Sequence, residues 1–121
     1  MMYEYSFLQR MSLFIFDAMS RIFQIQEFLK ESPNDCFLLH ALALEYIKAN
    51  NDIEAKNIFE QNRNISPQYV ATYYHLGKLM ERNGEIVEAI AIYEKGMEMA
   101  KLQGDQHAFS ELRSVHEELT F

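Results

Sequence analysis

Residues 73–80 read YYHLGKLM and residues 89–93 read AIAIY, and these two short stretches decide the fold. Tyr73, Leu76, Gly77 and Met80 recur at the three-and-four spacing that gathers side chains on one face of a helix. Ala89 and Tyr93 do the same four residues apart. A glycine or alanine on such a face has no bulk to hold a neighbouring backbone away, so Gly77 and Ala89 predict two helices that cross closely. Asn83-Gly84 lies between them, and glycine supplies the positive φ that a tight helix ending requires. The stretch is therefore a helix–turn–helix.

Working outward, the pattern repeats. Pro33 and Pro67 are 34 residues apart, and each follows a serine, Ser32 and Ser66. Ser before Pro predicts a helix start, with the serine as N-cap and the proline at the first helical position. Laid over residues 70–103, residues 36–69 match at Leu42 and Leu76, Ala55 and Ala89, Ile58 and Ile92, and Glu60 and Glu94. Similar pairs include Ala43 with Gly77, Asn50 with Gly84 and Phe59 with Tyr93. In the first unit Phe37, Leu38, Ala41, Leu42, Leu44 and Tyr46 mark one helix. Asn50-Asn51-Asp52 breaks it, and Asp52 is expected to cap a second helix carrying Ile53, Ala55, Ile58 and Phe59. In the second unit the helix after Gly84 spans about Ile86 to Leu102. Gly104-Asp105 then begins a last helix with the stripe Ala108, Leu112, Val115 and Leu119.

A further helix is expected over residues 20–31, carrying Ile22, Ile25, Phe28 and Leu29. Residues 1–19 are set apart as an N-terminal extension. Met1, Met2, Met11 and Met19 could each start translation, and Asp17 ends the apolar run Leu13-Phe14-Ile15-Phe16 too early for a secretory core. The expectation is one domain over 20–121, with repeats at about 36–69 and 70–103 and single flanking helices at 20–31 and 105–119.

Composition agrees. The 121 residues include only four Gly and two Pro, whereas an all-β chain needs turn residues about every 8–12 positions. The formal net charge is -7. With no basic run, this argues against a nucleic-acid or anionic-membrane partner. No apolar run reaches the roughly 20 residues of a membrane span. Cys36 is the one cysteine, which fits a reducing, cytoplasmic setting.

The second unit, Tyr73-x-x-Leu76-Gly77-x-x-Met80 then Ala89-x-x-x-Tyr93, resembles the tetratricopeptide repeat, a 34-residue helix–turn–helix. So does the first, Leu39-x-x-Leu42-Ala43-x-x-Tyr46 then Ala55-x-x-x-Phe59 then Pro67. The likeness covers residues 36–103. It departs where tryptophan is missing from the first signature position, where Asn62 replaces a small residue, and where Lys101 replaces the closing proline. Arg21 likewise occupies a small-residue position ahead of the first unit. The resemblance implies an all-α, α–α superhelix of stacked repeats, about six helices in all, whose end helices act as caps. Glu111, Arg113, Glu117 and Glu118 then solvate the outer face of the last one.

The same resemblance implies a scaffold or adaptor that binds another protein or a peptide in a concave groove. By position, Phe37, His40, Leu44, Ile47 and Lys48 would line it from the first repeat. Ala71, Tyr74, Lys78, Glu81 and Arg82 would line it from the second. A carboxylate clamp known in the family would use His40, Leu44, Tyr74 and Lys78, of which only Lys78 has the required character. This lining suits a mostly apolar ligand with some acidic residues. The alternative is a self-associating structural protein, a homodimer that buries apolar surface on the end helices; the Phe-rich start (Phe7, Phe14, Phe16, Phe23, Phe28) would either cover the groove or form a dimer contact.

Catalysis and cofactors have little support. His40, His75, His107 and His116 form no i, i+4 pair and no HExxH run, whereas a zinc site needs about three or four converging ligands. Cys36 with His40 four residues on is the one nucleophile–base spacing, and a small half-buried side chain is the plainer account. No catalytic, metal or cofactor residue is assigned.

Overall fold

The computed structural model describes residues 6–121. They form six helices and no strand: α1 Phe7–Glu31, α2 Cys36–Lys48, α3 Asp52–Ile65, α4 Ala71–Arg82, α5 Ile86–Gln103 and α6 Gln106–Thr120. The chain divides into two compact units, Met1–Ile58 and Phe59–Phe121, and the boundary lies inside α3.

Three helices end the same way. Asn50, Gly84 and Gly104 take positive φ of 61°, 80° and 71°. The next N–H in each case reaches back five residues: Asn51 to Tyr46, Glu85 to Met80 and Asp105 to Ala100, at 2.8, 2.8 and 2.9 Å. This is the left-handed ending that closes the orphan carbonyls of a helix. Asn50 and Gly84 are 34 residues apart, so the repeat is visible in backbone geometry as well as in sequence.

The helix starts differ from expectation. Ser32 and Ser66 do not cap α2 and α4. Each opens a turn instead, with Asp35 N–H donating to the Ser32 carbonyl at 3.2 Å and Tyr69 N–H to the Ser66 carbonyl at 3.0 Å. Pro33 and Pro67 take the second position of those turns, which the fixed proline φ suits equally well. Asp35 caps α2 by accepting from Phe37 and Leu38 N–H at 2.9 and 3.1 Å. At α3 the cap is Asn51, whose side chain accepts from Glu54 N–H at 3.2 Å, and Asp52 is the first helical residue.

The largest departure is α1. It begins at Phe7 rather than near Ser20, because Ser6 and Gln9 form a reciprocal capping box. Residues 1–5 of the expected extension lie outside the described residues. In the first unit α1 packs against α2, burying Ala18, Ile22, Leu39, Leu42 and Ala43. Arg21, in its unexpected place, reaches the Glu45 carboxylate of α2 at 2.9 Å and also pairs with Asp17.

In the second unit α5 packs against both α4 and α6. The α4–α5 crossing is reciprocal. A Cβ on Gly77 would sit 2.2 Å from the ring of Tyr93, and one on Gly96 would sit 2.6 Å from Cβ of Tyr73 and 3.0 Å from Leu112. Each helix thus lends one glycine to the other's tyrosine. Both tyrosines are tethered: Tyr73 donates to the Pro67 carbonyl at 2.6 Å, and Tyr93 to the Glu81 carboxylate at 2.7 Å. Asn62, the polar residue at a small-residue position, is fully buried and donates to Thr72 Oγ1 at 3.3 Å.

Gly77→Ala is a direct test of the crossing. Alanine would add up to about 1 kcal/mol of helix propensity. The rigid, fully buried Tyr93 ring cannot yield, so overpacking of about 1–3 kcal/mol wins. Chemical denaturation is expected to show Gly77→Ala destabilised, and Gly96→Ala likewise.

Candidate functional groove

The second unit contains a groove of about 800 Å³ between α4 and α6. Ala71, Tyr74, His75 and Lys78 line it from α4, and His107, Ser110, Glu111, Ser114, Val115 and Glu118 from α6. Tyr74 and Lys78 are therefore brought together, with Ala71 beside them. Glu81 and Arg82 lie one turn further along α4 and do not line this groove. Glu81 is occupied as the acceptor for Tyr93, with Lys78 Nζ 3.6 Å away.

The first-repeat residues lie in the other unit. On α2, Phe37 and Lys48 are exposed, while His40, Leu44 and Ile47 are half-buried. Lys48 pairs with Glu45 at 3.4 Å.

Sequence reasoning missed the α6 wall. His107, Glu111, Ser114 and Glu118 follow a spacing of four, three and four, one polar stripe of the helix. Such a stripe reads the same whether it faces bulk water or a groove. Of the four residues expected on the outer face, Glu111 and Glu118 belong to the groove, while Arg113 and Glu117 pair with each other at 3.1 Å.

The groove has an aromatic floor. Tyr74 meets the His75 ring edge-on at 5.4 Å, and Phe59 stacks near-parallel to that ring at 6.4 Å. Burial pushes the His75 imidazole below its ordinary 6.5, with Glu111 opposing that shift weakly. His75 is thus kept neutral near neutral pH. The fixed charges are Lys78 on one wall and Glu111 and Glu118 on the other, with His107 Nε2 2.7 Å from Glu111. The lining is net acidic. Among the described residues, no three of His, Cys, Asp and Glu are grouped to hold a metal ion. Cys36 is half-buried at the start of α2. Among the described residues, no helix is long and apolar enough to cross a membrane.

Paired helices in a 34-residue period, joined by matching left-handed turns and closed by reciprocal small–aromatic contacts, define a helical-repeat protein. Comparison with solved structures agrees. The solution structure of a tetratricopeptide repeat domain protein from Salinibacter ruber is 41% identical, with a TM-score of 0.70 over 72% of this chain and 88% of that one. The crystal structure of a tetratricopeptide repeat domain protein from the same organism is 41% identical, with a TM-score of 0.68 over 71% of this chain and 96% of that one. No family model matches the sequence, and no curated protein does. The chain belongs to the tetratricopeptide repeat family. Its fold is accordingly that of an all-α helical repeat, a module generally used for protein interaction.

His75 gives this unit a pH signature. Its folded pKa lies below its unfolded value, so the unfolded chain binds the extra proton first and stability falls as pH drops below 6.5. Thermal melts are expected to show that acid loss, and His75→Gln should reduce it. An unchanged acid dependence in the variant would remove His75 as its source.

Proposed function

We propose that this protein is a binding module that holds a peptide or helix of a partner protein in the α4–α6 groove. The observation that supports this most is the composition of the lining: an aromatic floor at Tyr74 and His75 within a polar rim. Binding patches take this form, with apolar anchors buried at the centre and charges at the edge.

The charge of the rim narrows the ligand. Lys78 alone would invite an acidic side chain, in keeping with the expectation from sequence. Glu111 and Glu118 outnumber it, and Glu81 already offsets part of the Lys78 charge. The groove therefore suits a segment that lays an aromatic or aliphatic residue on Tyr74 and directs lysine or arginine toward α6. Phe37, His40, Leu44 and Lys48 on α2 of the first unit, and separately Glu81 and Arg82 beyond the groove on α4 of the second, are secondary contact residues in this proposal. The protein acts as a scaffold or adaptor, and no catalytic step is assigned to it.

Selection of displayed peptides on the full chain tests this. Enriched peptides are expected to be basic and to bind more weakly as salt rises. Tyr74→Ala should cost about fivefold or more in affinity, as for a buried aromatic anchor. Glu111→Gln with Glu118→Gln should reduce affinity and flatten the salt dependence. Acidic peptides, or affinities indifferent to these changes and to Lys78→Ala, would contradict the assignment.

A further inference from the structure

α1 has 25 residues and its partner α2 has 13. The first buried side chain of α1 is Ala18, so residues 7–17 overhang by roughly 16 Å at 1.5 Å per residue. Seven of its eleven residues are apolar. Phe7, Leu8 and Phe16 are 76%, 78% and 72% exposed, and Met11, Leu13 and Phe14 are also exposed. At about 200 Å² per large side chain these six present roughly 700 Å². This exceeds the largest apolar patch usual on a monomer, about 300–600 Å².

We infer that the α1 overhang is a self-association surface, in which two copies of this chain pair their overhangs antiparallel. Three observations point to a second copy as the occupant. The first is continuity. Ala18, Ile22, Ile25 and Leu29 lie on the face of α1 from which burial by α2 comes, and Phe7, Met11 and Phe14 prolong that stripe at the same helical spacing. A partner helix running antiparallel, as α2 does, fills the slot beyond the end of α2.

The second is charge. Over residues 7–17 the only charged side chains are Arg10 and Asp17. They lie two turns apart along one flank of the stripe. About a two-fold axis near residue 13, antiparallel pairing sets Arg10 of each copy toward Asp17 of the other, whose carboxylate also pairs with Arg21 of its own chain. Parallel pairing would put that flank on opposite sides of the two copies and bring neither charge to a partner. Such isologous complementarity is what a dimer of identical chains requires. The overhang is also neutral in a chain of net charge -7, so the long-range repulsion between copies is least there.

The third is area. Phe7, Leu8, Met11 and Phe14 on and beside the stripe present roughly 500 Å² per copy at about 200 Å² per large side chain, so two overhangs covering each other bury up to about 1,000 Å², the size of a weak, reversible contact. An anionic lipid surface is disfavoured by the net charge and by Arg10 being the overhang's one cation.

Sedimentation of the full chain over a concentration series is the test. A reversible monomer–dimer equilibrium is expected. Phe14→Glu should leave only monomer at unchanged helicity, since Phe14 is exposed and outside the core. Arg10→Asp should weaken dimerisation roughly tenfold by placing Asp against Asp17, and Arg10→Asp with Asp17→Arg should restore it. A wild-type chain that stays monomeric into the millimolar range would overturn the inference, as would a dimer indifferent to Phe14→Glu. A double swap that fails to rescue would overturn the antiparallel arrangement. A monomer that instead co-sediments with phosphatidylcholine vesicles would assign the face to lipid and likewise overturn it.

Discussion

The second unit depends on one reciprocal contact, in which α4 and α5 each place a glycine against the other's tyrosine. Gly77 lies under the Tyr93 ring, and Gly96 lies under Tyr73. A hydrogen atom in place of a methyl lets the two backbones approach until rigid rings fill the space between them. The rings then carry the contact outward. Tyr93 reaches Glu81 at the C-terminal end of α4, Tyr73 reaches the turn at Pro67, and Gly96 also admits Leu112 of α6. The angle of α6 against α4, and hence the groove, follows from how closely α5 sits between them.

This dependence links the core to binding without any functional residue at the crossing. Ala71, Tyr74 and Lys78 lie on the face of α4 turned toward α6, while Tyr73, Leu76 and Gly77 lie on the face turned inward. The two faces are adjacent residues on one helix, so a shift that relieves crowding at Gly77 also moves Tyr74. Burial acts through the same geometry on chemistry. It holds His75 neutral and pushes the Tyr93 phenol well above its ordinary range, with Glu81 adding to that shift. The floor of the groove is therefore uncharged, and its electrostatics come from Lys78, Glu111 and Glu118.

Much of the fold was legible in the sequence because close packing leaves a trace in residue size. Ala43, Ala55, Gly77 and Ala89 stood out as small residues in step, and all four are buried. Gly84 and Gly104 were legible because positive φ selects glycine. Asn50 does the same work with a short polar side chain that tolerates it. Three features were not legible. Ser-Pro is compatible with a helix start and with a turn, and only the competing cap at Asp35 and the later start of α4 at Ala71 decide between them. Asp17 interrupted the apolar pattern of α1, so the helix was started too late, whereas the Ser6–Gln9 box sets its true beginning. The α6 wall was hidden because a polar stripe carries no sign of what it faces. Tyr74 and Lys78 were placeable on the groove side of α4 because a repeat pattern fixes the position of that helix, and no repeat pattern extends to α6.

Proton NMR of the unmodified chain reports the central contact most directly. If Gly77 lies against the Tyr93 ring, its α protons are shifted upfield by the ring current. They also show strong nuclear Overhauser cross-peaks to the ring protons of Tyr93, and Gly96 shows the equivalent pattern with Tyr73. Gly77 α protons at random-coil shifts with no cross-peak to Tyr93 would mean that the helices do not cross there, and would contradict the structural account on which the groove depends.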